Sequence, residues 1–270
     1  ARSTERIIST MKIGVFIESF RTDFKTAVEK AAALGIEGIQ KFGTGEELTW
    51  TKDQIREALD IVKSNGMVFS AICGDFCYGF DDPDRNPEMI EKSKRVVDLA
   101  LQLETNVVTT HISRVPVEEC RQKEIMRKAC YELAVYADSM NASFAVETGP
   151  EKAVILADFL GSLGATGVRA NFDPANLVMV AGDVAETAVK DLGKFIVHTH
   201  AKDGRKLPDG GFIELPLGMG DVHFDRYLPA LASTGYNGFL TIEREVGETP
   251  EADIELAVRF LREQLATLGL

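Results

Sequence analysis

Four short apolar runs in the second half of the chain each stop on side chains that can bind a metal or move a proton. They read Val146-Glu147-Thr148-Gly149, Asn171-Phe172-Asp173-Pro174, His198-Thr199-His200-Ala201-Lys202-Asp203 and Ile242-Glu243-Arg244-Glu245. Brought to one rim, Glu147, Asp173, His200 and Glu243 would offer mostly oxygen donors with one imidazole. That set suits Mn²⁺ first, and Mg²⁺ or Co²⁺, better than structural zinc. Strand alternation puts His198 and His200 on the same face, so one of them at most reaches a metal. His200 lies nearer the carboxyl end and is the expected ligand, leaving His198 to orient a neighbour, fill the core or contact substrate. Any one of these carboxylates alone would read equally well as a rim charge paired with a helix terminus or an arginine. Their occurrence on four consecutive strands, all at the same end, points to a shared site.

The elements that must carry these residues recur along the whole chain. Apolar, β-branched runs fall at residues 12–17, 36–41, 67–73, 106–111, 143–147, 168–172, 195–200 and 238–243. Each is followed by a stretch with helical spacing, and glycines at Leu34-Gly35, Asn65-Gly66, Leu163-Gly164 and Thr234-Gly235 mark helix stops. Runs such as Phe-Ile-Val-His-Thr-His are apolar on both sides of the pleat, as in a parallel sheet covered on both faces. Eight strand–helix units without a linker predict one α/β domain, a single (β/α)₈ TIM barrel, over residues 11–270. A doubly wound sheet should open on a glycine-rich turn, whereas the first strand here runs into Ile17-Glu18-Ser19-Phe20-Arg21. Residues 1–10 read as a leader or disordered extension outside the barrel.

Composition narrows the class of function. Thirty Lys plus Arg against 42 Asp plus Glu give the 270-residue chain a net charge of −12, which repels phosphate backbones and anionic lipid surfaces. No stretch approaches the roughly 18 apolar residues of a membrane span. A cytoplasmic protein with no nucleic-acid or membrane partner is expected, with a homo-oligomer as a possible assembly. Cys73, Cys77, Cys120 and Cys130 are too few for a disulfide scaffold and do not form a zinc knuckle. There is no serine nucleophile elbow.

The pattern Glu147, Asp173-Pro-x-Asn176, His198-x-His200-x-Lys-Asp203 and Glu243 resembles the xylose-isomerase-like barrel superfamily. The likeness is in particular to its sugar phosphate isomerase/epimerase branch, which includes ketose 3-epimerases and hydroxypyruvate isomerase, and it extends over essentially the whole chain from Met11. The resemblance implies one divalent metal held by Glu147, Asp173, His200 and Glu243, with Glu147 and Glu243 doubling as the acid/base pair. Three residues past the aspartate, many relatives carry a histidine where this chain has Asn176, which can bond a substrate hydroxyl but cannot shuttle a proton. The chemistry implied is isomerisation or epimerisation of a keto sugar or keto-sugar phosphate through a metal-stabilised enediolate. A lyase or dehydratase acting on a keto-glycoside or inosose is the alternative, since the same enediolate can expel a leaving group. A DNA-cleaving relative would need a basic face and further metal ligands, and a pure sugar-binding barrel would need no paired carboxylates.

Further candidates for contacting the small sugar stand on the same rim. His111 ends the fourth run, while Glu18, Lys41 and Asp75 end the first three and could equally pair with one another. Arg205 and Lys206, in the loop after the seventh run, could grip an anion or simply be solvated. Gly218-Met219-Gly220-Asp221 reads as a tight turn, His223 lacks a partner in sequence, and Trp50 would cap the mouth or pack a loop.

Overall fold

The computed structural model describes residues 11–270, so the expectation for residues 1–10 lies outside the described part. In chain order the elements are β1 (Lys12–Phe16), α1 (Phe24–Ala33), β2 (Gly38–Phe42), α2 (Lys52–Ser64), β3 (Val68–Cys73), α3 (Asn86–Gln102) and β4 (Val107–Thr110). They continue with α4 (Arg121–Ser139), β5 (Ser143–Glu147), α5 (Ala153–Gly161), β6 (Val168–Phe172), α6 (Pro174–Asn176), α7 (Ala185–Leu192) and β7 (Ile196–Ala201). The chain ends with β8 (Asp203–Lys206), β9 (Phe212–Leu215), α8 (Phe224–Ser233), β10 (Phe239–Ile242) and α9 (Pro250–Leu268).

Strands β1–β7 and β10 close in the order β1-β10-β7-β6-β5-β4-β3-β2, all parallel, giving the expected single (β/α)₈ barrel. Local chemistry sets the helix boundaries. Asp23 accepts the Thr26 amide at the start of α1, and Thr51 with Gln54 forms a capping box at α2. Gly35 and Gly66 take φ of 70° and 76° where those helices stop, a backbone that a Cβ would strain. Among the described residues no helix is long and apolar enough to cross a membrane.

Two features depart from the sequence reading. The segment after β7, expected as an irregular loop, is an antiparallel hairpin with Asp203 opposite Leu215 and Lys206 opposite Phe212. Its polar first strand hid the pattern, and the Asp-Gly-Gly at its tip was the turn signal. After β6 the chain winds directly into α6 and a wide turn over Leu177–Ala181. Pro174 opens that turn and Asp173 caps it through the Asn176 amide.

The barrel interior is stratified. A small apolar cluster of Ala71, Val107 and Ala145, with Val197 against it, is separate from the main core between barrel and helices. Nearer the carboxyl ends the inward residues are polar: Gln40, Thr109, Asn171, His198, His200 and Thr241, all essentially inaccessible to solvent. Buried polar groups need partners, so this layer forms a hydrogen-bonded network.

Candidate active site

Glu147 is the last residue of β5, Asp173 follows β6, His200 lies on β7 and Glu243 follows β10. One potential ligand atom from each of the four lies within 4.8 Å of all the others. His200 Nδ1 is the hub, 3.1 Å from Glu147 Oε1, 3.3 Å from Glu243 Oε2 and 3.6 Å from Asp173 Oδ2. Three carboxylates around one ring nitrogen carry more negative charge than an imidazole can balance. Asp173 Oδ2 is buried without a hydrogen-bond partner, while Oδ1 accepts the Asn176 amide at 3.0 Å. An orphaned anionic oxygen beside two glutamates and an imidazole is a donor set that fits a divalent cation.

The surrounding layer fixes how these ligands point. His200 Nε2 donates to Gln40 Oε1 at 2.8 Å, and Gln40 Nε2 donates to Thr109 Oγ1 at 2.7 Å. That bond leaves Nδ1 to face the carboxylates. Thr148 Oγ1 donates to the Asp173 carbonyl and accepts the Asp173 amide, at 3.0 and 2.8 Å, tying the ends of β5 and β6 together. Burial works against charge on His200, but Glu243 and Glu147 raise its pKa well above the ordinary value. Burial likewise opposes ionisation of Glu243, yet His200 and then Lys202 hold its carboxyl down at about 2. Glu147 is also lowered, by His200 and His111 acting against burial.

The other predicted residues fall into different places. His111, half exposed on the rim just past β4, has Nδ1 2.8 Å from Asp75 Oδ2 and Nε2 3.3 Å from Glu147 Oε2. The charge of Glu147 is the main cause that raises His111 to about 9. Asn176 Nδ2 donates to Glu147 Oε1 at 3.1 Å. His198 faces the interior beneath His200, donating from Nδ1 to Asn171 Oδ1 and accepting from Thr241 Oγ1, both at 2.9 Å. Burial keeps it neutral, with a pKa well below the ordinary value. Lys41 alternates with the inward Gln40 and donates to Glu18 at 3.2 Å and Glu47 at 2.7 Å, with the Trp50 ring 5.7 Å away. Arg205, on the β8–β9 hairpin, forms an exposed pair with Asp221 at 3.0 Å. Gly218, Gly220 and Val222 donate their amides to Asp203, which folds the Gly218-Met219-Gly220-Asp221 turn around that carboxylate. His223 precedes α8 as its exposed flanking residue.

Sequence reading passed over two residues here. Gln40 stands 160 positions from the ring it orients, and the one available hint was an amide within an otherwise apolar strand. Lys202 was visible only as part of a motif. It is buried, donates to Glu243 Oε2 at 3.1 Å and to Glu245, and lies 3.9 Å from Glu214. Burial works to strip its proton, but Glu243 foremost keeps Lys202 protonated. A cleft of about 230 Å³ opens beside the cluster between Phe16, Glu18, Arg21, Phe42, Glu243 and Arg244.

Comparison with known proteins adds the family context. A model of the family described as xylose isomerase-like TIM barrel matches residues 28–264. No protein of curated function matches the sequence. A xylose isomerase domain protein from Planctomyces limnophilus superposes with a TM-score of 0.85 at 23% identity, covering 96% of this chain and 98% of that one. D-psicose 3-epimerase from Clostridium cellulolyticum H10, solved with D-tagatose, gives 0.74 at 18% identity, over 96% and 98%. The probable 3-DHS dehydratase AsbF from Bacillus anthracis gives 0.76 at 18% identity, over 93% and 99%. At these identities the likeness establishes the fold alone.

Proposed function

The chain belongs to the xylose isomerase-like TIM barrel family, and from that premise we propose that it is a divalent-metal-dependent isomerase or epimerase of a keto sugar or keto-sugar phosphate. The observation that carries the reading is the convergence of Glu147, Asp173 and Glu243 on His200 Nδ1 at the carboxyl end of the barrel. These four residues would hold the ion, Mn²⁺ by preference, with Mg²⁺ or Co²⁺ as substitutes. The ion, when bound, supplies Lewis acidity that makes a proton beside a sugar carbonyl removable near neutral pH.

The chain's own groups do the rest. Glu147 and Glu243 come from strands three places apart in the barrel and approach the centre from different sides, so each can serve one face of a bound sugar. One removes a proton and the other returns one, inverting a carbinol centre, while return to the neighbouring carbon isomerises. His111, on the rim beside Glu147, is placed to contact a substrate hydroxyl. His198 lies buried beneath His200, and Glu18 lines the cleft beside Glu243. Glu18, Lys41 and Arg205 are assigned with His198 to secondary contacts with the sugar, each also holding a partner within the protein. The partner is a small sugar, and the setting we assign is the cytoplasm.

Elimination from the same enediolate is the second reading, and the likeness to a probable 3-DHS dehydratase favours it. The two separate in one experiment. Mn²⁺-loaded protein is incubated in heavy water with ketoses, ketose phosphates and keto-glycosides. Deuterium gain with the substituents retained is the expected result, and release of water or an aglycone would establish elimination instead. No turnover of any of them with the ion bound would sink both.

A further inference from the structure

The two glutamates are held in matching poses by donors that are not acids or bases of the proposed reaction. On Glu147, Oε1 lies 3.1 Å from His200 Nδ1 and also accepts Asn176 Nδ2 at 3.1 Å. Its Oε2 turns away from that centre toward His111, at 3.3 Å. On Glu243, Oε2 lies 3.3 Å from His200 Nδ1 and also accepts Lys202 Nζ at 3.1 Å. No bond from a described residue reaches its Oε1, and Glu243 forms part of the wall of the cleft with Phe16 and Phe42. Each carboxylate therefore has one oxygen toward the cluster and one outside it.

Both donors are built into place. Lys202 is 4% exposed, follows β7 directly and is surrounded by Glu243, Glu245 and Glu214. Glu214, on β9, also accepts Arg244 and the Glu245 amide, so the hairpin braces the lysine from behind. Asn176 sits in the first turn after Asp173, its backbone amide on Asp173 Oδ1. It reaches Glu147 across Gly149, where φ is 146° and a Cβ would stand 2.5 Å from Asn176 Cβ. A glycine is required at that approach.

We propose that Asn176 and Lys202 are positioning residues that hold Glu147 and Glu243 with one oxygen toward the ligand cluster, reserving the other for proton transfer. The proposal rests on the reading of these glutamates as the acid/base pair. A carboxylate can offer a divalent cation one oxygen or two, and electrostatic attraction alone favours two. A donor fixed on one oxygen resists that rotation, and an oxygen kept off the cation is what proton abstraction requires; on Glu147 that oxygen faces the rim histidine His111.

The test compares N176A, K202M and K202R with wild type, all loaded with Mn²⁺. Calorimetry should show Mn²⁺ affinity retained, while kcat on the best ketose falls about 10²-fold with KM little changed, as expected for misplacement of a reacting group. Excess Mn²⁺ should not restore the rate, and K202R should recover part of what K202M loses. Crystal structures with Mn²⁺ should show one oxygen of each glutamate on the ion in wild type, and two on Glu147 in N176A. If Lys202→Met fails a thermal-unfolding check, Asn176→Ala decides, since it leaves no charge unpaired. The proposal is overturned if wild type already places both oxygens of each glutamate on the ion, or if affinity falls in step with turnover and added Mn²⁺ restores both. Should wild type convert no ketose, the acid/base reading fails, and the crystal comparison still decides the positioning.

Discussion

Acidic side chains stand on both sides of the barrel mouth, and the two sides treat them in opposite ways. At β1 and β2, Glu18 and Glu47 close on the Lys41 ammonium, and the rings of Phe24 and Trp50 lie 5.6 and 5.7 Å from the same nitrogen. One ammonium serves two carboxylates there, and Glu18 Oε2 is buried without a hydrogen-bond partner. At β5, β6, β7 and β10, three carboxylates meet on one imidazole, and Asp173 Oδ2 is left with no donor at all. The first arrangement is organised around an ammonium of the chain, whereas the second gathers a donor set that could hold a divalent cation. What marks the second side is convergence, since one ligand atom from each of three carboxylates and an imidazole lies within 4.8 Å of all the others.

The largest expected effect comes from the second side. Glu147→Gln and Glu243→Gln keep the size and one ligating oxygen but lose the basic one, so each should cost about 10²- to 10⁴-fold in kcat with Mn²⁺ still bound. Steady-state rates beside metal analysis check this, and near wild-type turnover in both variants would remove the acid/base assignment. Next come Asp173→Asn and His200→Ala, which should act through occupancy. Mn²⁺ affinity should fall by at least the roughly 10- to 100-fold typical of lost outer-shell support, with activity partly regained in excess metal.

Lys41→Met tests the lysine-centred side. It should cost about 1–3 kcal/mol of stability by leaving Glu18 and Glu47 without their cation, and leave Mn²⁺ affinity as in wild type. Urea denaturation and calorimetry together read both quantities. A drop in metal affinity would show that the two sides are coupled after all.

The smallest effect is a pH slope from Glu151, in the loop after β5. Burial pushes its carboxyl up to about 7, with the Val115 amide and Arg114 pulling the other way. A raised carboxyl binds its proton more tightly in the folded state, so its contribution is full below the ordinary carboxylate value and is lost as pH rises through about 7. Glu151→Gln should flatten the loss of unfolding free energy between about pH 5 and about pH 8, and an unchanged slope would show that other groups carry it.

Much of this molecule is legible in its amino-acid sequence. The eight barrel strands follow from β-branched runs separated by helical spacing, and the observed β5 (Ser143–Glu147) and β6 (Val168–Phe172) coincide with the runs read from sequence. Glu147, Asp173, His200 and Glu243 were legible because residue type and position at a strand end are both local properties. The hairpin was hidden by its polar first strand. Rim position offered Lys41 either a sugar or a neighbouring rim charge, and the pleat that turns Gln40 inward sends Lys41 to Glu18 and Glu47.

Chain-local rules reach a few residues in either direction, and within that range they settled the helix caps, the strand parity and the kinds of atom presented at each strand end. Distances between residues 53 or 160 positions apart, such as His200 to Glu147 and to Gln40, are not local quantities. They exist only once eight strands close with one tilt and stagger, which decides which ends converge and which neighbours each ring or carboxylate meets. The same holds for the two oxygens of each glutamate. The sequence names the carboxylate, but only the closed barrel, by bringing Asn176 and His111 to one glutamate and Lys202 to the other, decides which neighbour each oxygen meets.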